Sequence, residues 1–275
     1  MRRMSKVLAG IVAGLTVMSM VAGCGSSEGA ADKPQEKEDK VKEYIDESQY
    51  DELYTNPDKF KGKYVKLSGQ VFMEPEREDD TIYFQMWNDP DKAEGNTIVK
   101  CKTDQKIKSE DYVVIDGEIS GTFEGENMVG GTITAPQITA ENIEVTDYIT
   151  AVAPTIKETV VDETQEQYGY SVTVKKVEFA DNETRIYVST TNNGSATFSC
   201  YGFNAKAIQN GTQISSDMNY SADYPELEGE LLQGATTEGI IAFPALDPET
   251  EFELYIDGYS DNWEEDVETY KFVIK

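Results

Sequence analysis

Apolar and polar residues alternate along this chain in short runs, the period of a half-buried β-strand. In residues 63–72, Val65, Leu67 and Val71 point one way while Lys66, Ser68 and Gln70 point the other. Residues 81–87 set Ile82, Phe84 and Met86 against Tyr83, Gln85 and Trp87. Further strands are expected over 97–101, 112–118 and 130–145, with a turn of helical potential at 104–110. A short helix is expected over 48–56, capped by Ser48, striped by Tyr50, Leu53 and Tyr54, and ended by Asn56-Pro57. The second half repeats the strand pattern over 157–162, 170–179, 184–191, 203–209, 236–243, 251–256 and 269–274. Asp181-Asn182, Asn192-Asn193-Gly194 and Asn210-Gly211 punctuate it with residues that tolerate left-handed backbone.

The strand order of the first half, with a turn before the fourth strand, suits a five-stranded oligomer-binding (OB) barrel. Tyr50-Asp51-Glu52-Leu53-Tyr54 through Pro57, then Gly62-Lys63-Tyr64-Val65-Lys66-Leu67-Ser68-Gly69, resembles the anticodon-binding-like OB family of bacterial lipoproteins. Seven or so short strands in the second half suggest a sandwich. Gly169-Tyr170-Ser171-Val172-Thr173-Val174, Arg185-Ile186-Tyr187-Val188, Thr191-Asn192-Asn193-Gly194 and Gly239-Ile240-Ile241-Ala242-Phe243 resemble the telokin-like, immunoglobulin-type family of bacterial surfaces. That resemblance implies a fold and a location, with no assigned activity.

Ahead of both modules lie Arg2, Arg3 and Lys6, then fifteen apolar or small residues at 7–21. This stretch is shorter than the roughly 20 residues of a membrane-spanning helix and reads as a secretory signal. Val21-Ala22-Gly23-Cys24 resembles the lipobox of bacterial lipoproteins. The resemblance implies diacylglyceryl transfer to the Cys24 sulfur, cleavage before Cys24, and anchoring at the extracellular face of a bacterial cell membrane. The alternative is a plain signal peptide with an accidental cysteine. Residues 25–42 hold almost nothing apolar and cannot offset their ordering entropy. The expected fold class is therefore mainly β: an OB-like five-stranded barrel plus an immunoglobulin-like β-sandwich, behind a lipoprotein signal peptide and a flexible tether. The expected boundaries are 1–23 signal, 24–46 lipidated tether, 47–148 barrel, 149–156 linker and 157–275 sandwich. Residues 146–166, with Ala153-Pro154 and an acidic run, are expected as extended, solvated chain, and the halves 47–148 and 155–275 as independent folds.

Charge sharpens the picture. Without Arg2, Arg3 and Lys6 the chain carries 21 basic and 52 acidic residues, a net charge of −31. Such a protein is repelled by polyanions, because phosphate backbones are bound by displacing their counterions with Lys and Arg. The lysines of the first module, such as Lys63, Lys66 and Lys100, are offset by Glu74, Glu76, Glu78, Asp79, Asp80 and Asp89. Nucleic acid is thus excluded as an expected partner despite the OB resemblance.

Catalysis finds little footing. The chain has no histidine, so Ser-His-Asp and Cys-His sites and His-ligated metals are excluded. Gly25-Ser26-Ser27-Glu28-Gly29 matches G-x-S-x-G, but that motif needs a strand before it and a helix after it. With Cys24 taken by lipid, Cys101 and Cys200 alternate in phase with apolar neighbours, which favours buried free thiols over a disulfide. Asp257, Asp261, Glu264, Glu265 and Asp266 could coordinate calcium but lack the spacing of a known loop. No cofactor, no metal and no enzyme activity are expected.

Two candidate ligand surfaces remain. Tyr83, Gln85 and Trp87 form the outward phase of the second barrel strand, where OB barrels stack ligands, although they could instead pack against a helix, a loop or the other module. The long connection 212–234 carries Tyr220 and Tyr224, and long loops are uncommon unless functional or mobile. The expectation is a lipid-anchored extracellular binding protein whose ligand is a peptide, glycan or partner protein. Alternatives are an accessory or regulatory subunit of an envelope transport or sensing complex, and a carboxylate-dependent hydrolase.

Overall fold

The computed structural model describes residues 41–126 and 130–275, so the expected signal, Cys24, the G-x-S-x-G match and most of the tether lie outside the described residues. The fold is mainly β, and the described residues form sixteen strands and two short helices. Among the described residues, no helix is long and apolar enough to cross a membrane.

The first half holds β1 (Tyr64–Val71), β2 (Glu76–Glu78), β3 (Thr81–Asp89), β4 (Glu94–Lys102), β5 (Tyr112–Glu126) and β6 (Thr132–Thr146). They form one sheet in the order β1-β5-β6-β4-β3-β2, and a further β1–β3 pairing closes five of them into a ring. Every pairing is antiparallel except β4–β6. Closure brings β1 hard against β3 at Gly69, where a Cβ would collide with the Trp87 carbonyl. Inward residues of the alternating strands fill the ring, with Val65, Val71, Met86, Val99, Val113, Ile115 and Ile138 fully buried. Before β1, α1 (Tyr50–Thr55) adds Leu53 to this core. Truncating such a fully buried leucine to alanine costs about 2–5 kcal/mol.

The entrance to α1 differs from the sequence expectation. Asp46, not Ser48, caps a 3₁₀ turn over Glu47–Gln49, with Gln49 completing a capping box. Its carboxylate accepts from the Ser48 amide and hydroxyl, which holds its pKa below the usual carboxylate range. The last tether residues are also ordered: Ile45 is buried and Tyr44 bridges Tyr64. The helical turn expected at 104–110 does not form. The Arg77 guanidinium binds the carbonyls of Thr103 and Gln105 and holds the segment irregular, with Ile107 turned into the core.

The second half contains two four-stranded sheets. One orders β13 (Thr236–Pro244), β9 (Glu183–Asn192), β8 (Tyr170–Phe179) and β7 (Lys157–Gln167); the other orders β12 (Thr212–Ser215), β11 (Lys206–Gln209), β14 (Phe252–Ile256) and β16 (Tyr270–Ile274). They share one core, in which Val172, Val174, Ile186 and Val188 meet Ala207, Leu254, Phe272 and Ile274. A short pair, β10 (Phe198–Cys200) with β15 (Gly258–Ser260), closes one end. Asn210 turns left-handed between β11 and β12, as its Asn-Gly pair foretells.

The connection 149–156 corrects an expectation. In place of solvated extended chain it carries most of α2 (Tyr148–Ala151), capped by Asp147, followed by a fully buried Ala153. The cause lies elsewhere in the chain: Arg185 of β9 donates to the Ala153 carbonyl and to the Thr155 hydroxyl. Tyr148 and Ala153 join Ala180, Tyr112 of β5 and Tyr224 in a small apolar cluster that spans both halves.

Candidate functional site

The segment 216–235 leaves β12 and runs across β13, and its fastenings decide its shape. At its start, the Ser216 hydroxyl donates to the Phe203 carbonyl at 2.9 Å and the Asp217 amide to the Ala242 carbonyl at 2.9 Å. Midway, the Ile240 amide donates to the Pro225 carbonyl at 2.8 Å. This crossing depends on Gly239, whose missing Cβ would lie 2.6 Å from the Leu227 nitrogen. Near its end, Leu231 exchanges two backbone hydrogen bonds with Phe198, and Asn192 holds the Leu231 carbonyl. The segment is therefore long but tied at start, middle and end.

Between these ties lies a cavity of about 280 Å³. Its apolar wall comes from Leu227, Ile240, Ile241, Ala242 and Met218, with Phe203 and Tyr220 at the mouth, 64% and 83% exposed. Asp217, Asp223 and Glu226 also line it, and no lysine or arginine does. Among the described residues, none of these three carboxylates accepts a hydrogen bond or forms a salt bridge. Cys200 touches the cavity, but burial, helped by Asp257, pushes its thiol up to about 12. A thiol held protonated in this way is a poor nucleophile. The chemistry on offer is recognition by an apolar wall with an acidic, aromatic rim.

A second cavity of about 360 Å³ adjoins the first at the junction of the two halves, and Asp217, Met218, Asn219 and Tyr220 line both. Asp91, Tyr148, Glu183 and Ser221 complete its polar side. Tyr148 donates to Asp91 at 2.9 Å, and the Tyr112 hydroxyl donates to the Ser221 carbonyl at 2.6 Å. The segment thus rests on the first half's sheet as well as on β13.

Behind it sits a buried charge network. Arg185 is fully buried and uses all five of its N–H donors: two to Glu178, two to Ala153 and Thr155, and one to Glu183. Burial opposes its charge, yet the bond to Glu183 and the neighbouring Tyr224 raise its pKa overall. Glu183 in turn accepts from the Tyr224 hydroxyl and from Asn219, so the network reaches the segment that roofs the cavity. Tyr224 has a raised pKa, from burial first and the Glu183 bond second, and acts as a donor. Its ring meets Tyr148 edge-on, with centroids 6.1 Å apart.

The structure brings Tyr220 and Tyr224 to one cavity but gives them different work. Tyr220 stands in solvent at the mouth, whereas Tyr224 is a strut between the segment and the charge network. Tyr83, Gln85 and Trp87 share the outward face of β3 and line neither cavity. Trp87 stacks on Phe72 with centroids 4.0 Å apart, and Lys100 lies 5.5 Å over the Tyr83 ring. These aromatics already have partners. Glu265, from the acidic run considered for calcium, accepts from Ser260, Tyr170 and Asn262. Among the described residues, no group of three or more acidic or thiol side chains could hold a metal ion. Cys101 and Cys200 are free and buried, each in its own core.

Sequence reasoning singled out the segment through its length and its tyrosines. It missed Asp217, Asp223 and Glu226, which look like any solvated acids until the cavity between them is seen. Arg185 was also missed, because strand alternation places it on the face of β9 away from the sandwich core and gives no sign that the 149–156 connection covers that face. No protein-family model, curated protein or solved structure matches this chain.

Proposed function

We propose that this is a lipid-anchored, non-enzymatic binding protein of the outer face of a bacterial cell membrane, and that its ligand enters the cavity beneath segment 216–235. Cys24 carries the anchor in this reading. The first half is an OB-type barrel, a reading supported by ring closure through β1, β3, β4, β6 and β5 with a parallel β4–β6 pair. The second is an immunoglobulin-type sandwich, supported by two four-stranded sheets over one core.

One observation carries the reading: an apolar-walled cavity whose three rim carboxylates have no partner among the described residues, roofed by a segment tied down at several points. Tied backbone keeps the cavity open without a ligand, which lowers the ordering cost of binding. The test is hydrogen–deuterium exchange of the full chain with and without an envelope extract. Protection confined to 217–230 is expected. Protection over 81–87 instead, or no change anywhere, contradicts the assignment.

A further inference from the structure

We infer that the ligand of this cavity is a cationic peptide segment, with a lysine or arginine side chain entering the apolar cavity whose rim carries Asp217, Asp223 and Glu226. The inference rests on the cavity being a binding site, as proposed above, and goes on to name the ligand's chemistry.

Charge is the first argument. From residue 157 onward the chain has seven basic residues, and six of them are paired: Lys157, Lys175, Lys176, Arg185, Lys271 and Lys275. Lys206 is the seventh and does not line the cavity. The second half thus places its cations on other carboxylates and leaves three uncompensated around one apolar cavity. An incoming cation meets no repulsion from the lining and supplies the missing counter-charge.

Shape and surface chemistry agree. Lysine and arginine have long apolar stems behind a charged head and lie along hydrophobic surface while the head stays at a polar rim. Leu227, Ile240 and Ile241 supply such a surface, and the rim above them is acidic. Tyr220 and Phe203 offer exposed rings at the mouth, and aromatic faces attract ammonium and guanidinium groups. Capture by strand addition is ruled out at this point, because the Ile240 amide already donates to Pro225. Recognition therefore runs through side chains.

The test is isothermal titration of the full chain with acetylated, amidated pentapeptides in which leucines flank a central lysine, glutamine or glutamate. The lysine peptide should bind, more weakly as salt is raised, and the glutamate peptide should not. Replacing all three carboxylates (Asp217→Asn, Asp223→Asn, Glu226→Gln) should weaken the lysine peptide about tenfold, since exposed pairs contribute a few-fold each. All three side chains are exposed, and asparagine tolerates the left-handed backbone at position 223 (φ 50°), so the variant should fold. Equal binding of the lysine and glutamine peptides overturns the cationic ligand but leaves the cavity as a site. Unchanged lysine-peptide binding in the triple variant overturns the role of the carboxylates. If no peptide binds, the inference fails, and the exchange experiment with envelope extract still decides whether the cavity is used.

Discussion

Replacing Arg185 with leucine should be among the most damaging single changes in this protein. The side chain is fully buried and lies 3.1 Å from Glu178 and 2.7 Å from Glu183, whose own side chains are nearly buried. Leucine removes the charge and all five donors at once. Glu178 keeps Lys176, Tyr187 and Thr155 as donors. Glu183 keeps only the neutral donors Tyr224 and Asn219. Breaking a buried ion pair from one side costs about 3–5 kcal/mol, and the surviving Lys176 partner places this case near the lower end, at about 3 kcal/mol. The Ala153 carbonyl also loses its guanidinium donor, so the connection between the halves loosens. Arg185→Lys should cost less, about 1–3 kcal/mol, because an ammonium keeps the charge but cannot reproduce the planar fork. Urea unfolding of the full chain followed by circular dichroism measures both. A stability for Arg185→Leu within about 1 kcal/mol of the parent, at unchanged slope, would refute the reasoning.

Other consequences are simpler to test. Cys101 and Cys200 should resist a water-soluble thiol reagent in the native protein. On unfolding in urea two thiols should react rather than three if the Cys24 sulfur carries the proposed lipid; a third reactive thiol in membrane-derived protein contradicts the anchor. Stability should also fall in alkali. Burial, only partly offset by the bond to Thr97, pushes Tyr54 up to about 12, and Cys200 rises likewise. Unfolded, the two groups titrate near 10 and 8.5, so above those values the folded state holds more protons and stability drops as pH rises towards about 12. A urea midpoint that stays level between about pH 8 and 11 would count against the burial of both groups.

Much of the architecture was legible in the alternation of residues, because a strand with one face in a core has to keep period two. Residues 170–179 and 236–243 emerge almost unchanged as β8 and β13. Among what escaped were short strands. Glu76–Glu78 is exposed throughout, whereas Phe198–Cys200, though Phe198 and Cys200 alternate around Ser199, is only three residues long and buried on both faces. The connection 149–156 misled for a different reason. Pro154 and the acids beyond it suggested solvated chain, but residues 149–156 are uncharged and largely apolar, so Ala153 packs with Tyr148, Ala180 and Tyr224 while an arginine 32 residues further on holds its carbonyl. The candidate site divides along the same line. Segment length and tyrosines flagged 212–234, while the meaning of its acids depends on where the other cations of the second half find their partners. Trp87 was a reasonable ligand platform on the outward phase of β3, but Phe72, just beyond β1, occupies its face.

The central claim is that ligand enters beneath segment 216–235, and two methionines can report on it directly. Met218 lines the cavity and is 43% exposed, whereas Met86 is fully buried in the core of the first half. Methyl-labelled methionine resonances of the full chain can be followed while the lysine-centred pentapeptide is added. The account predicts that the Met218 methyl shifts progressively to saturation while Met86 stays in place. Saturable binding that leaves Met218 unmoved would contradict it.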